Sequence, residues 1–175
     1  MGVIDETKSR IMGVFSEGGD IIKGVVTAVV GIVGNVGADT LGTFTTIVRG
    51  GVEAAVAVGG NAVASISAIV RTAITEAVAV GVDTLEAVEA LVRNAITSSS
   101  EAGGDVAQTT VDAVQGAVEG AVSAGADRDD AVEAAAKGAM EAAAELSRDA
   151  RGEVEGALLG LVTVPNELLE PKDSL

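Results

Sequence analysis

The sequence predicts an all-α fold, either an antiparallel helical bundle or a helical-hairpin array built from 22-residue repeats. Three observations predict it. Residues able to cap a helix recur at Asp39, Asn61, Asp83, Asp105, Asp127 and Asp149, each 22 positions after the last. Gly37, Gly59, Gly81, Gly103 and Gly125 precede the first five on the same period. Between them, apolar residues step by three and four, the spacing of one helix face. A unit of this size cannot bury its apolar face alone, so neighbouring units must supply the core. Units starting near 20, 37, 59, 81, 103, 125 and 147 give a repeated-helix domain at 20–164. It is flanked by an N-terminal segment, 1–19, and a tail, 165–175.

In chain order, residues 3–15 suit a short amphipathic helix through Val3, Ile4, Ile11, Met12 and Phe15. Residues 20–36 read as an irregular earlier copy, because Asp20 lies 19 rather than 22 positions before Asp39. The apolar run at 24–38 is too short to span a bilayer unless it is extended back through Lys23, and no aromatic belt flanks it. Its small-residue face, Gly24, Ala28 and Gly31, is read as a tight contact in an Ala-rich bundle rather than in lipid.

The best-formed unit is 81–102. Asp83 with Glu86 reads as a capping box, and Asp105 with Gln108 repeats it. The apolar face uses Leu85, Val88, Val92, Ala95 and Ala102, widened by Leu91 and Ile96. In the preceding unit the face is Val63, Ile66, Val70, Ala73, Ala77 and Val80, widened by Ile69 and Ile74. A helix of about 17–19 residues, roughly 27 Å long, followed by a short glycine-bearing turn accounts for the period. Turns this short make successive helices antiparallel. The rival geometry treats 22 as twice 11, a period suited to one long right-handed coil. Doubled glycines at 59–60 and 103–104 favour real breaks. No glycine precedes Asp149, so a helix running on from Asp127 to about Leu161 is expected there. Pro165 is expected to stop it.

Ten positions after each cap stand Arg49, Arg71, Arg93, Gln115 and Lys137. They read as a solvated face whose long stems cover apolar surface, with Glu89–Arg93 and Glu133–Lys137 as pairs along single helices.

Composition removes most site chemistry. The chain has no Cys and no His, so imidazole bases, thiolates and nearly all transition-metal sites are excluded. The cluster Asp127, Asp129, Asp130 and Glu133 is read as helix-start acids, with no wall to separate carboxylate pKa values and no calcium-loop spacing. Ser98, Ser99 and Ser100 have no neighbouring base. No catalytic, cofactor-binding or metal-ligating residue is predicted, no cofactor is implied, and the chain is not expected to be an enzyme. A net charge of −15 argues against nucleic acid. The excess sits late: residues 1–100 hold ten acids and six bases, 101–175 sixteen and five. The apolar content is mostly Ala and Val with only two aromatics, Phe15 and Phe44, so a dense core needs close backbone approach.

The expected function is non-catalytic: a structural or protein-interaction repeat that self-associates, or binds a protein partner, through apolar helix faces. No small-molecule substrate is evident. The alternative is an amphipathic coat on a lipid or hydrophobic granule surface. In period alone the repeat is similar to that of lipid-binding proteins built from tandem 22-residue helices, with glycine where those commonly carry proline. With no signal peptide evident, a cytoplasmic location is expected, peripheral to a membrane or granule under the coat reading.

Overall fold

The computed structural model describes residues 40–58 and 62–169, and these form an all-α bundle of six helices with no strand among them. The helices are α1 (Thr40–Val58), α2 (Ala62–Ala79), α3 (Thr84–Glu101), α4 (Val106–Ser123), α5 (Arg128–Glu145) and α6 (Arg148–Leu169). The expected helix at 3–15, the irregular copy at 20–36, the apolar run at 24–38 and the caps Asp39 and Asn61 lie outside the described residues.

Three turns are built alike. Gly81, Gly103 and Gly125 adopt φ of +100°, +79° and +98°, a conformation that costs little only without a Cβ. The residue after each glycine donates its N–H to a carbonyl five positions back: Val82 to Ala77 at 3.0 Å, Gly104 to Ser99 at 2.8 Å, Ala126 to Ala121 at 2.9 Å. The glycine N–H groups bond to Val78, Ser100 and Val122, so the terminal carbonyls that a helix end orphans are satisfied. The next residue opens the following helix. Asp83 accepts from the Glu86 N–H at 3.0 Å, Asp105 from Gln108 at 2.9 Å, and Asp127 from Asp129 at 2.8 Å. Only the aspartate half of each expected capping box forms. Gln108 turns its amide forward to Asp112 instead, at 3.2 Å.

The fourth turn corrects the expectation of a continuous helix from Asp127. α5 ends at Glu145, Leu146 is extended (φ −90°, ψ 169°), and α6 starts at Arg148. Ser147, not Asp149, is the cap: its Oγ accepts from the Ala150 N–H at 3.3 Å. Serine caps as well as aspartate does, and Asp149 remains in the first turn. In place of a glycine, the Arg151 guanidinium reaches back to the last carbonyls of α5, with Nε donating to Ala143 at 3.2 Å and Nη2 to Ala144 at 3.4 Å. Nor does Pro165 end α6, which continues to Leu169. Its missing N–H removes one ladder bond without terminating the helix.

Packing follows alternate helices. The most extensive contacts join α2 to α4 and α3 to α5, and α1 meets both α2 and α3. The chain thus lays down two rows, α1–α3–α5 and α2–α4–α6, with the core between and within them. α4 touches four helices and is the most enclosed. The predicted faces supply the core: Val88, Leu91, Val92, Ala95 and Ile96 in α3 are fully buried, as are Val70, Ala73, Ile74 and Ala77 in α2. Phe44 fills the α1 end at 0% exposure. The predicted edges do not. Leu85 and Val80 are exposed, as is Ala102.

Small side chains fill this core at high density because backbones touch. A Cβ added to Gly116 would collide with the Ser67 carbonyl, and one on Gly120 would lie 2.8 Å from the Arg71 carbonyl oxygen. Because 116 meets 67 and 120 meets 71, α2 and α4 run parallel. Gly138 of α5 sits on the Glu89 carbonyl of α3 in the same way.

Candidate interaction surface

The cationic row lies where the sequence placed it, on an exposed face, but it spans helices more than it decorates single ones. Arg49 of α1 bonds to Glu101 of α3 at 2.7 Å and to Glu53 on its own helix at 3.0 Å. Arg71 of α2 reaches Glu119 of α4 at 3.3 Å. Arg93 of α3 pairs with Glu145 and, at 3.8 Å, with Glu141, both on α5. Lys137 of α5 bonds to Glu89 of α3 at 3.0 Å. The expected pairs Glu89–Arg93 and Glu133–Lys137 are therefore replaced, because a helix two along presents a carboxylate to each cation. The separations recur: 52 residues for Arg49–Glu101 and Arg93–Glu145, and 48 for Arg71–Glu119 and Lys137–Glu89. The Arg49 and Lys137 pKa values are raised, chiefly by their hydrogen bonds to Glu53 and Glu89. Such exposed pairs add little stability each, and their value lies in fixing register.

Polar groups inside the bundle fix the same register. Asn94 of α3 donates through Nδ2 to the Thr45 carbonyl of α1 at 2.7 Å, 49 residues away, and accepts from Ser98 Oγ at 2.9 Å. Ser99 and Thr109 share a buried hydrogen bond of 2.8 Å. Ser98 and Ser99 are thus enclosed packing groups, 1% and 0% exposed. Sequence reading missed Asn94, though one amide amid the apolar run of α3 was a visible signal.

Asp112 is the polar outlier. It lies on the α4 ridge with Gly116 and Gly120, is 4% exposed, and its Oδ2 has no hydrogen-bond partner. Burial pushes its pKa up to about 6, the bond from Gln108 opposes the shift, and the nearby Asp105 carboxylate adds to it. The acids at 127–133 do what the sequence suggested. Asp127 accepts from two backbone N–H groups, and Asp129 and Asp130 occupy the first turn. No group of three or more His, Cys, Asp or Glu able to hold a metal ion occurs among the described residues.

An apolar cleft of about 770 Å³ lies between α4 and α6, with α5 contributing to its lining. Val114, Val118, Val122, Val132, Leu158 and Leu161 line it, and Arg71, Glu119, Arg128 and Asp129 stand at its edges. It opens because α6 is seated differently from its predecessors. No described residue comes within 4 Å of a Cβ added at Gly152, Gly156 or Gly160, and Leu159 is 70% exposed. Such a cleft offers mainly apolar area, with Gln115 and Ser123 as further polar lining. α1 is the one described helix long and apolar enough to cross a membrane by length and composition, with 33% of that stretch buried.

No family model, curated protein or solved structure matches this chain.

Proposed function

We propose that this chain is a non-catalytic helical-repeat protein whose 22-residue units stack as two rows of helices to form a structural or protein-interaction scaffold that self-associates. The recurring inter-helix register carries this reading. The first residues of α1 to α5, Thr40, Ala62, Thr84, Val106 and Arg128, stand 22 apart, and the contacts between alternate helices repeat at separations of 48, 49 and 52 residues. Successive helices are antiparallel under this reading and alternate helices parallel. The exposed Val122, Val132, Met140 and Leu159 supply apolar surface for a partner.

Light scattering with sedimentation tests self-association. A defined oligomer is expected, and substituting Leu159→Glu and Met140→Glu should return it to a monomer of unchanged helicity. A monomer at all concentrations refutes self-association. A lipid or hydrophobic-surface coat is the second reading, favoured by the partly buried apolar α1. It requires vesicles to raise helicity, and an unchanged circular dichroism spectrum on adding vesicles excludes it.

A further inference from the structure

Of the four pairs of alternate helices, two are seated through a glycine, α1–α3 through Asn94 on the Thr45 carbonyl, and α4–α6 through neither. In α2–α4 and α3–α5 a glycine of the later helix sits on a carbonyl of the earlier one, Gly116 on Ser67 and Gly138 on Glu89. One 22-residue step further, the same register would put Gly160 of α6 on the Val111 carbonyl of α4. Instead, no described residue comes within 4 Å of a Cβ added at Gly160. Val111 borders a second, shallower opening of about 460 Å³, lined also by Ala107 and Gln108 of α4 and by Gly152, Gly156 and Ala157 of α6.

We propose that α6 is a closing strap with a second seat on α4, in which it moves in against α4 until Gly160 covers Val111 and the apolar cleft is closed. The proposal rests on the repeat reading above.

Three features support it. The glycines required for close approach are present on α6 at 152, 156 and 160, and in the open arrangement a Cβ on any of them would meet no described residue. The cleft walls, Val114 and Val118 on α4 with Leu158 and Leu161 on α6, are apolar and complementary, so closing removes apolar surface from water. Finally, the ion pairs that lock the other two seats have no counterpart. The positions matching Arg71–Glu119 and Arg93–Glu141 are Gln115 and Thr163, and those matching Glu89–Lys137 are Val111 and Leu159. The α4–α6 pair has the glycine for a close seat without the charged latch. A helix so equipped moves between two packings rather than staying in one.

The absence of cysteine makes the test direct. Spin labels attached to Gln115→Cys and Thr163→Cys report the α4–α6 distance by double electron–electron resonance. Labels on Arg71→Cys and Glu119→Cys give the distance of a closed seat. The 115–163 distribution should contain a component matching that reference, and Gly160→Leu, which cannot lie on a backbone, should remove it. Adding the missing latch, Gln115→Arg with Thr163→Glu in unlabelled protein, should raise the melting temperature beyond the sum of the single changes by about 1–3 °C. Absence of the reference-like component, or its persistence in Gly160→Leu, overturns the strap. So does a component that disappears on dilution with unlabelled chain, which would assign the seat to a second copy. If the 71–119 reference itself gives no narrow distance, the repeat reading fails rather than the strap.

Discussion

Replacing Asp112 with asparagine tests how this bundle tolerates the one unpartnered buried carboxylate oxygen among its described residues. The side chain is 4% exposed, and its pKa rises from 3.8 to about 6 through burial. Because the folded value lies above the unfolded one, the native state binds more protons between these two pH values, and stability falls as pH rises through that window. The penalty is absent below about pH 4 and complete above about pH 6. Two pKa units correspond to about 3 kcal/mol, an upper bound. Asparagine keeps the acceptor that Gln108 uses but leaves an amide where Oδ2 stood, so the expected gain at pH 7.5 is about 1–3 kcal/mol. Urea denaturation of both proteins from pH 4 to pH 8 measures it. The two stabilities should converge at pH 4 and separate through pH 6, the variant above. Parallel curves, or a variant less stable at pH 7.5, would refute the reasoning that Asp112 is a buried, strained acid.

Glycines of one chain should respond in opposite directions to the same substitution. Gly116→Ala and Gly138→Ala push a methyl onto a backbone carbonyl and should lower stability by about 1–3 kcal/mol, whereas Gly152→Ala and Gly156→Ala should raise it by about 0.5–1 kcal/mol; thermal melts of the four variants decide this, and a common sign would contradict the packing. Ala73 and Ala95 are fully enclosed, so Ala73→Phe and Ala95→Phe should each cost about 1–3 kcal/mol by overpacking, and unchanged denaturation midpoints would remove both from the core.

The legible part of the fold was the part governed by local chemistry. Asp83, Asp105 and Asp127 cap because a short carboxylate before an apolar-periodic run has few other uses, and Gly81, Gly103 and Gly125 mark turns because they must adopt positive φ. The break at Leu146 was hidden because its two devices, a serine cap and an arginine reaching back from the next helix, leave no glycine to read. Which helix each cation would meet was also hidden. Glu89 four residues before Arg93 looks like a pair along one helix, and only the alternate-row arrangement brings Lys137 to Glu89 and leaves Arg93 to α5. The buried state of Ser98 and Ser99 was hidden as well, because it depends on partners that packing supplies, such as Thr109 of the next helix for Ser99. The apolar cleft could not be foreseen, because the sequence of α6 carries the glycines of a close seat while the structure holds it away.

Alternate-row packing also sets the order in which the molecule can assemble. The bonds that fix register join residues 48 to 52 apart, so no helix meets its row partner until a whole intervening helix has been made and turned back. As the chain leaves the ribosome, α1 waits for α3 and α2 waits for α4, like strands of a braid crossing only over those already laid down. Each closure spans a loop of nearly constant length and meets nearly the same entropic cost. Seating should then advance one crossing at a time along the chain, each helix meeting its row partner only over a helix already laid down.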